Sequence, residues 1–94
     1  MSLVAASAEP PTACFAVNAA PDPGVLLRVI EPFAKRGLVP SAVQARLTGD
    51  RLRVDLQVAM PADLARVVTE ALRQIVSVER VLLAELAPAR AARP

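Results

Sequence analysis

Between Arg51 and Ala59 the chain alternates with a period of two. Leu52, Val54, Leu56 and Val58 are apolar, and Arg51, Arg53, Asp55 and Gln57 separate them. Successive side chains of a strand point to opposite faces, so this segment predicts a strand with one covered and one solvated face, as in an antiparallel sheet. The same period recurs in Phe15, Val17 and Ala19 against Cys14, Ala16 and Asn18. It recurs again in Val39 to Leu47, where Val43, Ala45 and Leu47 are expected inward and Gln44 and Arg46 outward. Thr48-Gly49-Asp50 is a short polar turn joining two of these strands. Val78 to Leu86 is a fourth strand, with Val81 and Leu83 on one face and Leu82, Ala84 and Leu86 on the other. Apolar residues on both faces predict that this neighbourhood is covered twice.

Two segments change to helical spacing. Leu26, Val29, Ile30 and Phe33 form one stripe, with Arg28, Glu31, Lys35 and Arg36 mostly opposite. Pro21-Asp22-Pro23-Gly24 ends the first strand and starts this helix. Asp22 is the expected N-cap, because its carboxylate can accept from free first-turn amides, and Pro23 suits the first helical position. Lys35 and Arg36 complement the dipole at the C-terminal end, and Gly37 is the expected stop. Pro32 breaks the local rule, at a cost of about 3 kcal/mol. Because the apolar stripe continues from Ile30 to Phe33, one kinked helix is expected rather than two. The second helix opens at Pro61, has Asp63 in its first turn, and carries Leu64, Val67, Val68, Ala71, Leu72 and Ile75 inward.

Glu9-Pro10-Pro11-Thr12 closes a flexible N-terminal arm of residues 1–12. An Ala/Arg/Pro tail of residues 87–94 follows the last strand, leaving one folded unit over residues 13–86. The order β-α-β-β-α-β predicts an α+β, ferredoxin-like fold: a four-stranded antiparallel sheet with two helices on one face. Full burial of each inward side chain contributes about 1.5–3 kcal/mol. A domain this small still leaves much surface uncovered, so a homodimer is expected.

Composition narrows the chemistry. The 94 residues include 54% hydrophobic and 21% charged residues, one cysteine, and no histidine, tryptophan or tyrosine. That argues against His- or Cys-based metal sites, a Ser-His-Asp triad and an internal disulfide framework, so neither an enzyme nor a cofactor is expected. The net charge of +2 resides in Arg90 and Arg93; without them basic and acidic groups balance. A neutral body, and 2% aromatic residues with Phe15 and Phe33 both on core faces, argue against nucleic acid. No uncharged run approaches the roughly 20 residues of a membrane span, and Met1 to Ala8 lacks the basic start of a signal peptide. The expected compartment is the cytoplasm, where Cys14 is read as a small buried hydrophobe.

One segment stands out as a candidate site. Backbone amides at the first strand-to-helix junction can bind an anion, and Gly24 lets a ligand approach the chain. The plainer alternative is that Pro21 to Gly24 is only a turn and cap, and the Asp22 carboxylate would compete with an anion for the same amides. Arg46 and Arg53 are expected to face each other on the open side of the sheet, with Asp55 nearby to neutralise them; they are read as surface.

Pro23-Gly24-Val25-Leu26, followed by Arg28-Val29-Ile30, Phe33 and Lys35-Arg36-Gly37, resembles the ACT domain, a ligand-binding regulatory module. Leu64 through Leu72, Ile75, Val78, Arg80 and Val81 resemble the final helix and strand of acetolactate (acetohydroxyacid) synthase small subunits. The likeness spans about Cys14 to Glu85. It implies a non-catalytic, dimeric subunit whose sheets join side by side. Such a subunit activates a thiamine-dependent catalytic subunit of branched-chain amino-acid biosynthesis and binds a small amino acid near the turn. The effector residues implied are Asp22, Gly24, Val25 and Leu26. Pro21 and Val39 stand where the family pattern has hydrogen-bonding side chains, so Gly24 and the amides of Val25 and Leu26 are the contacts carried over. Two readings remain open: a regulatory subunit with an amino-acid effector, and a structural dimerisation or assembly module that has lost it. A nucleic-acid-binding or small enzymatic domain on the same fold is disfavoured by the missing residue types.

Overall fold

A computed structural model describes residues 10–86, so the first nine residues of the expected arm and the whole tail lie outside the described residues. Four strands, β1 (Thr12–Ala19), β2 (Ala42–Thr48), β3 (Arg51–Ala59) and β4 (Val78–Leu86), alternate with helices α1 (Val25–Lys35) and α2 (Ala62–Arg73) in the order β-α-β-β-α-β. The strands form one antiparallel sheet in the spatial order β2-β3-β1-β4. This is the expected ferredoxin-like architecture.

The period-two pattern translates directly into the core. Phe15 pairs with Leu56 on β3 and Leu83 on β4, and Val17 with Val54 and Val81. Ala13, Phe15, Val17 and Ala19 are buried together with Val54, Leu56, Val58 and Val81. From the helix layer, Val25, Val29, Phe33, Ala65, Val68 and Leu72 close over them. The only two aromatic rings meet edge to face, Phe15 and Phe33 with centroids 5.1 Å apart at 80°, a geometry that adds about 0.5–1.5 kcal/mol beyond area burial.

Both helices are rotated relative to the expected stripes. In α1, Val25 and Pro32 are buried and Leu26 is half in water; in α2, Ala65 and Thr69 are buried and Val67 is exposed. The sheet decides this. A small residue such as Ala65 lets α2 approach the strands closely, and the buried Thr69 hydroxyl is satisfied by donating to the Ala65 carbonyl at 2.9 Å. The first helix is one segment through Pro32 rather than two. It stops at Gly37, whose φ of +69° favours glycine.

Four other expectations are corrected. Gly24, not Asp22, is the N-cap of α1, and Val25 rather than Pro23 is its first residue. β2 begins at Ala42 rather than Val39, because Pro40 lacks an N–H for the ladder. Cys14 is half-buried on the helix-free face of the sheet, not a core residue. The double cover expected around β4 is absent in the single chain: Leu82 and Ala84 lie exposed on that open face.

A fifth correction matters most. Val43, Ala45 and Leu47 do lie on the helix side of the sheet, opposite Leu56, Val54 and Leu52. Yet every residue of β2 is exposed, with Val43 at 47% and Leu47 at 63%. Two helices are too narrow to cover four strands, and they settle over β1, β3 and β4.

Adjacent valines test the helix rotation. Val68→Ala should lower unfolding free energy by about 2 kcal/mol, from two lost methyls and a cavity. Val67→Ala should change it by about 0.5 kcal/mol or less. Urea denaturation of the two variants distinguishes this orientation from the stripe read along the sequence.

Candidate functional site

The turn between β1 and α1 is organised by one carboxylate. The chain leaves the sheet where Ala20 donates to the Ser77 carbonyl at 2.9 Å, and Asp22 then turns back to donate to the Ala20 carbonyl at 2.8 Å. Pro21 and Pro23 flank Asp22 and restrict the backbone on both sides. Asp22 Oδ2 accepts from the Ser77 hydroxyl at 3.0 Å and from the Arg28 guanidinium at 3.3 Å. Its Oδ1 takes a longer bond, 3.5 Å, from the Gly24 amide. A single side chain thus joins the turn, the first helix and the loop between α2 and β4.

These contacts stabilise the ionised carboxylate. The Ser77 hydroxyl, then the Gly24 amide, hold the Asp22 pKa below its ordinary value of 3.8 against partial burial, with the Arg28 charge assisting.

Of the four residues expected to hold an effector, the structure brings Asp22, Gly24 and Val25 into one turn. The Gly24 amide faces Asp22 Oδ1, and the Val25 amide donates to the Asp22 carbonyl at 3.0 Å. The Val25 side chain is fully buried, and Leu26 is 37% exposed at the helix surface. The Arg28 guanidinium lies over Gly24: a Cβ there would meet it at an ordinary contact distance of 3.6 Å. Of the carried-over contacts, Gly24 and the Val25 amide therefore already have an acceptor within the chain. Sequence reasoning missed Ser77 and the contact of Arg28 with Asp22. Ser77 lies 55 residues from Asp22, and no spacing rule connects them.

On the open sheet face Arg46 and Arg53 are paired across β2 and β3, and Arg53 turns to Asp55, 3.0 Å away. That exposed pair contributes little, about 0–1 kcal/mol, and the face behaves as ordinary surface. Among the described residues no cluster of three or more His, Cys, Asp or Glu is placed to hold a metal ion, and no helix is long and apolar enough to cross a membrane.

The family model of the ACT-like domain matches residues 6–90. The chain belongs to that family. ACT-like domains are typically regulatory, ligand-binding modules, and the βαββαβ fold described above is that of such a domain. The ACT domain of the GTP pyrophosphokinase of Chlorobium tepidum superposes with a TM-score of 0.70 at 12% identity, covering 81% of this chain and 99% of that one. The C-terminal domain of the MgtC protein from Mycobacterium tuberculosis gives 0.66 at 11% identity, over 80% and 86%. The ligand-free regulatory subunit of aspartate kinase from Thermus thermophilus gives 0.62 at 22% identity, over 79% of this chain and 50% of that one. Among curated proteins, none matches the chain in sequence. At these identities the structural likenesses establish the fold of the ACT-like domain and leave its ligand and partner to the residues.

The Asp22 clasp has a pH signature. Because folding depresses this pKa, the stabilisation it brings is complete above 3.8 and is lost as pH falls through the folded-state value. Asp22→Asn should therefore melt below the unmodified chain at pH 6, and the gap should narrow as pH falls below 3.8 and the carboxylate takes up its proton. Thermal melts followed by circular dichroism across that range check it.

Proposed function

We propose that this ACT-like chain is a dimeric, non-catalytic regulatory or accessory subunit acting on a partner enzyme of amino-acid biosynthesis. The partner proposed is an acetolactate synthase-like, thiamine-dependent catalytic subunit of the branched-chain pathway, with a small amino acid as effector. The likeness of Leu64 to Val81 to the final helix and strand of that synthase's small subunits supports the partner, and the likeness of Pro23 to Gly37 to the ACT domain supports the regulatory class. The protein works in the cytoplasm and binds neither nucleic acid nor membrane.

The observation that carries the dimer is the bare edge of β2. Met60 donates to the Pro11 carbonyl at 3.1 Å and extends the β1–β3 register, so even-numbered β3 residues point their backbone groups at β1 and odd-numbered ones at β2. Within β2, Gln44 and Arg46 then pair with β3, and Val43, Ala45 and Leu47 turn N–H and C=O outward. A seven-residue edge strand with two exposed apolar side chains is a ready surface for a second strand. A two-fold axis through Ala45 sets Val43 against the partner's Leu47 and Gln44 against the partner's Arg46, which avoids an arginine–arginine contact. Each apolar cross-strand pair of this kind adds about 0.2–1 kcal/mol to the ladder.

A second reading has its own support. The Gly24 and Val25 amides are engaged by Asp22, which favours a structural dimerisation or assembly module without an effector. Thermal stabilisation against the twenty amino acids separates the two. A ligand at a hundredfold excess over its dissociation constant stabilises by about 2.7 kcal/mol. A shift with valine, leucine or isoleucine upholds the regulatory reading, and none across the series upholds the structural one.

Proline substitutions test the dimer. Ala45→Pro removes only an outward N–H, so it should leave the fold intact and yield a monomer in sedimentation velocity. Gln44→Pro removes a bond to β3 and should lower the melting temperature. A monomeric parent chain, or a dimer that survives Ala45→Pro, overturns this arrangement.

A further inference from the structure

A groove of about 660 Å³ runs between the last turns of α1 and the end of α2, away from the turn amides. Its α1 wall is one stripe of the helix: Arg28, Glu31, Pro32, Lys35 and Arg36, at spacings of three and four. Three of these are cations and one is an acid. Lys35, Arg36 and Glu31 have no ion-pair partner within 4.0 Å among the described residues. Arg36 is held in place by donating through one nitrogen to the Pro32 carbonyl at 2.8 Å, leaving its other donors for a second acceptor. Helix C-termini attract cations, and that bond accounts for part of the cluster. It does not account for the opposite wall. There Ile75 is half-buried and Val76 is 93% exposed, an apolar side chain left almost wholly in water beside unpaired cations.

We propose that this groove, rather than the turn, is the binding site, and that it takes a small carboxylate on a short apolar body. The carboxylate sits between Lys35 and Arg36 at the C-terminal end of α1, and the body covers Ile75 and Val76. Glu31 faces the same space and accepts an ammonium group where the ligand carries one. This rests on the proposed effector role and assigns it a place that the occupied amides of Gly24 and Val25 cannot provide. Arg28 belongs both to the groove and, through Asp22, to the turn and Ser77.

The test is a titration of the ¹⁵N-labelled full chain with L-leucine, 4-methyl-2-oxopentanoate and acetate. The expected result is amide shifts centred on Lys35, Arg36 and Gln74 to Val76. Leucine and the oxo acid should bind at least tenfold more tightly than acetate, and Lys35→Glu should weaken both at least tenfold while the free protein still unfolds cooperatively, at a melting temperature lowered only by the lost helix-end charge. Tighter leucine binding assigns the ammonium to Glu31; equal binding assigns the site to the carboxylate and apolar body alone. Shifts centred on Asp22 to Leu26 overturn the groove while sustaining an effector at the turn. Acetate binding as tightly as leucine, or affinity unaffected by Lys35→Glu, also overturns it. No shift with any of the three overturns both the groove and the effector reading for this ligand class.

Discussion

The structure depends on β1 being paired along both edges and covered on one face. It lies between β3 and β4, so each of its backbone polar groups finds a partner strand, and its odd-numbered side chains are shut away from water. Phe15 stands at the middle of this arrangement, opposite Leu56 and Leu83 and against the ring of Phe33. A strand in that position admits only one register. Sliding it by one residue would bring Cys14, Ala16 and Asn18 under the helices and expel Phe15 and Val17. The helices, the outer strands and the turn that follows Ala19 all take their positions from it.

A helix layer of fixed width over a four-stranded sheet leaves something bare. Here β2 is left out, and with it Val43 and Leu47, although their alternation is as regular as that of β3. The same geometry creates the two surfaces that carry the functional argument. One is the outward-facing backbone of β2, suited to a second copy of the chain. The other is the groove where α1 and α2 part, lined by cations on one side and by Ile75 and Val76 on the other. Between them Asp22 links the turn, α1 and the loop before β4, so the site is mechanically connected to elements far apart in the chain.

Regular positions were legible because period and face are local properties. Leu52 to Val58 could be assigned to one face of a strand from its alternation, and Pro61 and Gly37 marked a helix start and stop by the dihedral angles they require or permit. Depth was not legible. Val67 and Val68 fit the apolar stripe equally well, and only the approach of α2 to the sheet, set by Ala65, buries one and exposes the other. The candidate site was half legible: Asp22 and Gly24 announced a turn, but the partners that occupy it come from elsewhere.

The sequence by itself determined the order of elements, the faces of the strands and the ferredoxin-like class, because hydrophobic period and turn chemistry act over a few residues. It also set which side chains the fold has to work with, since the sequence holds no histidine, tryptophan or tyrosine and one cysteine. Tertiary structure alone decided that Ser77 meets Asp22 and that β2 is left uncovered. Those outcomes depend on distances between segments up to 55 residues apart, which are set by how two helices share one sheet and leave no trace in local pattern.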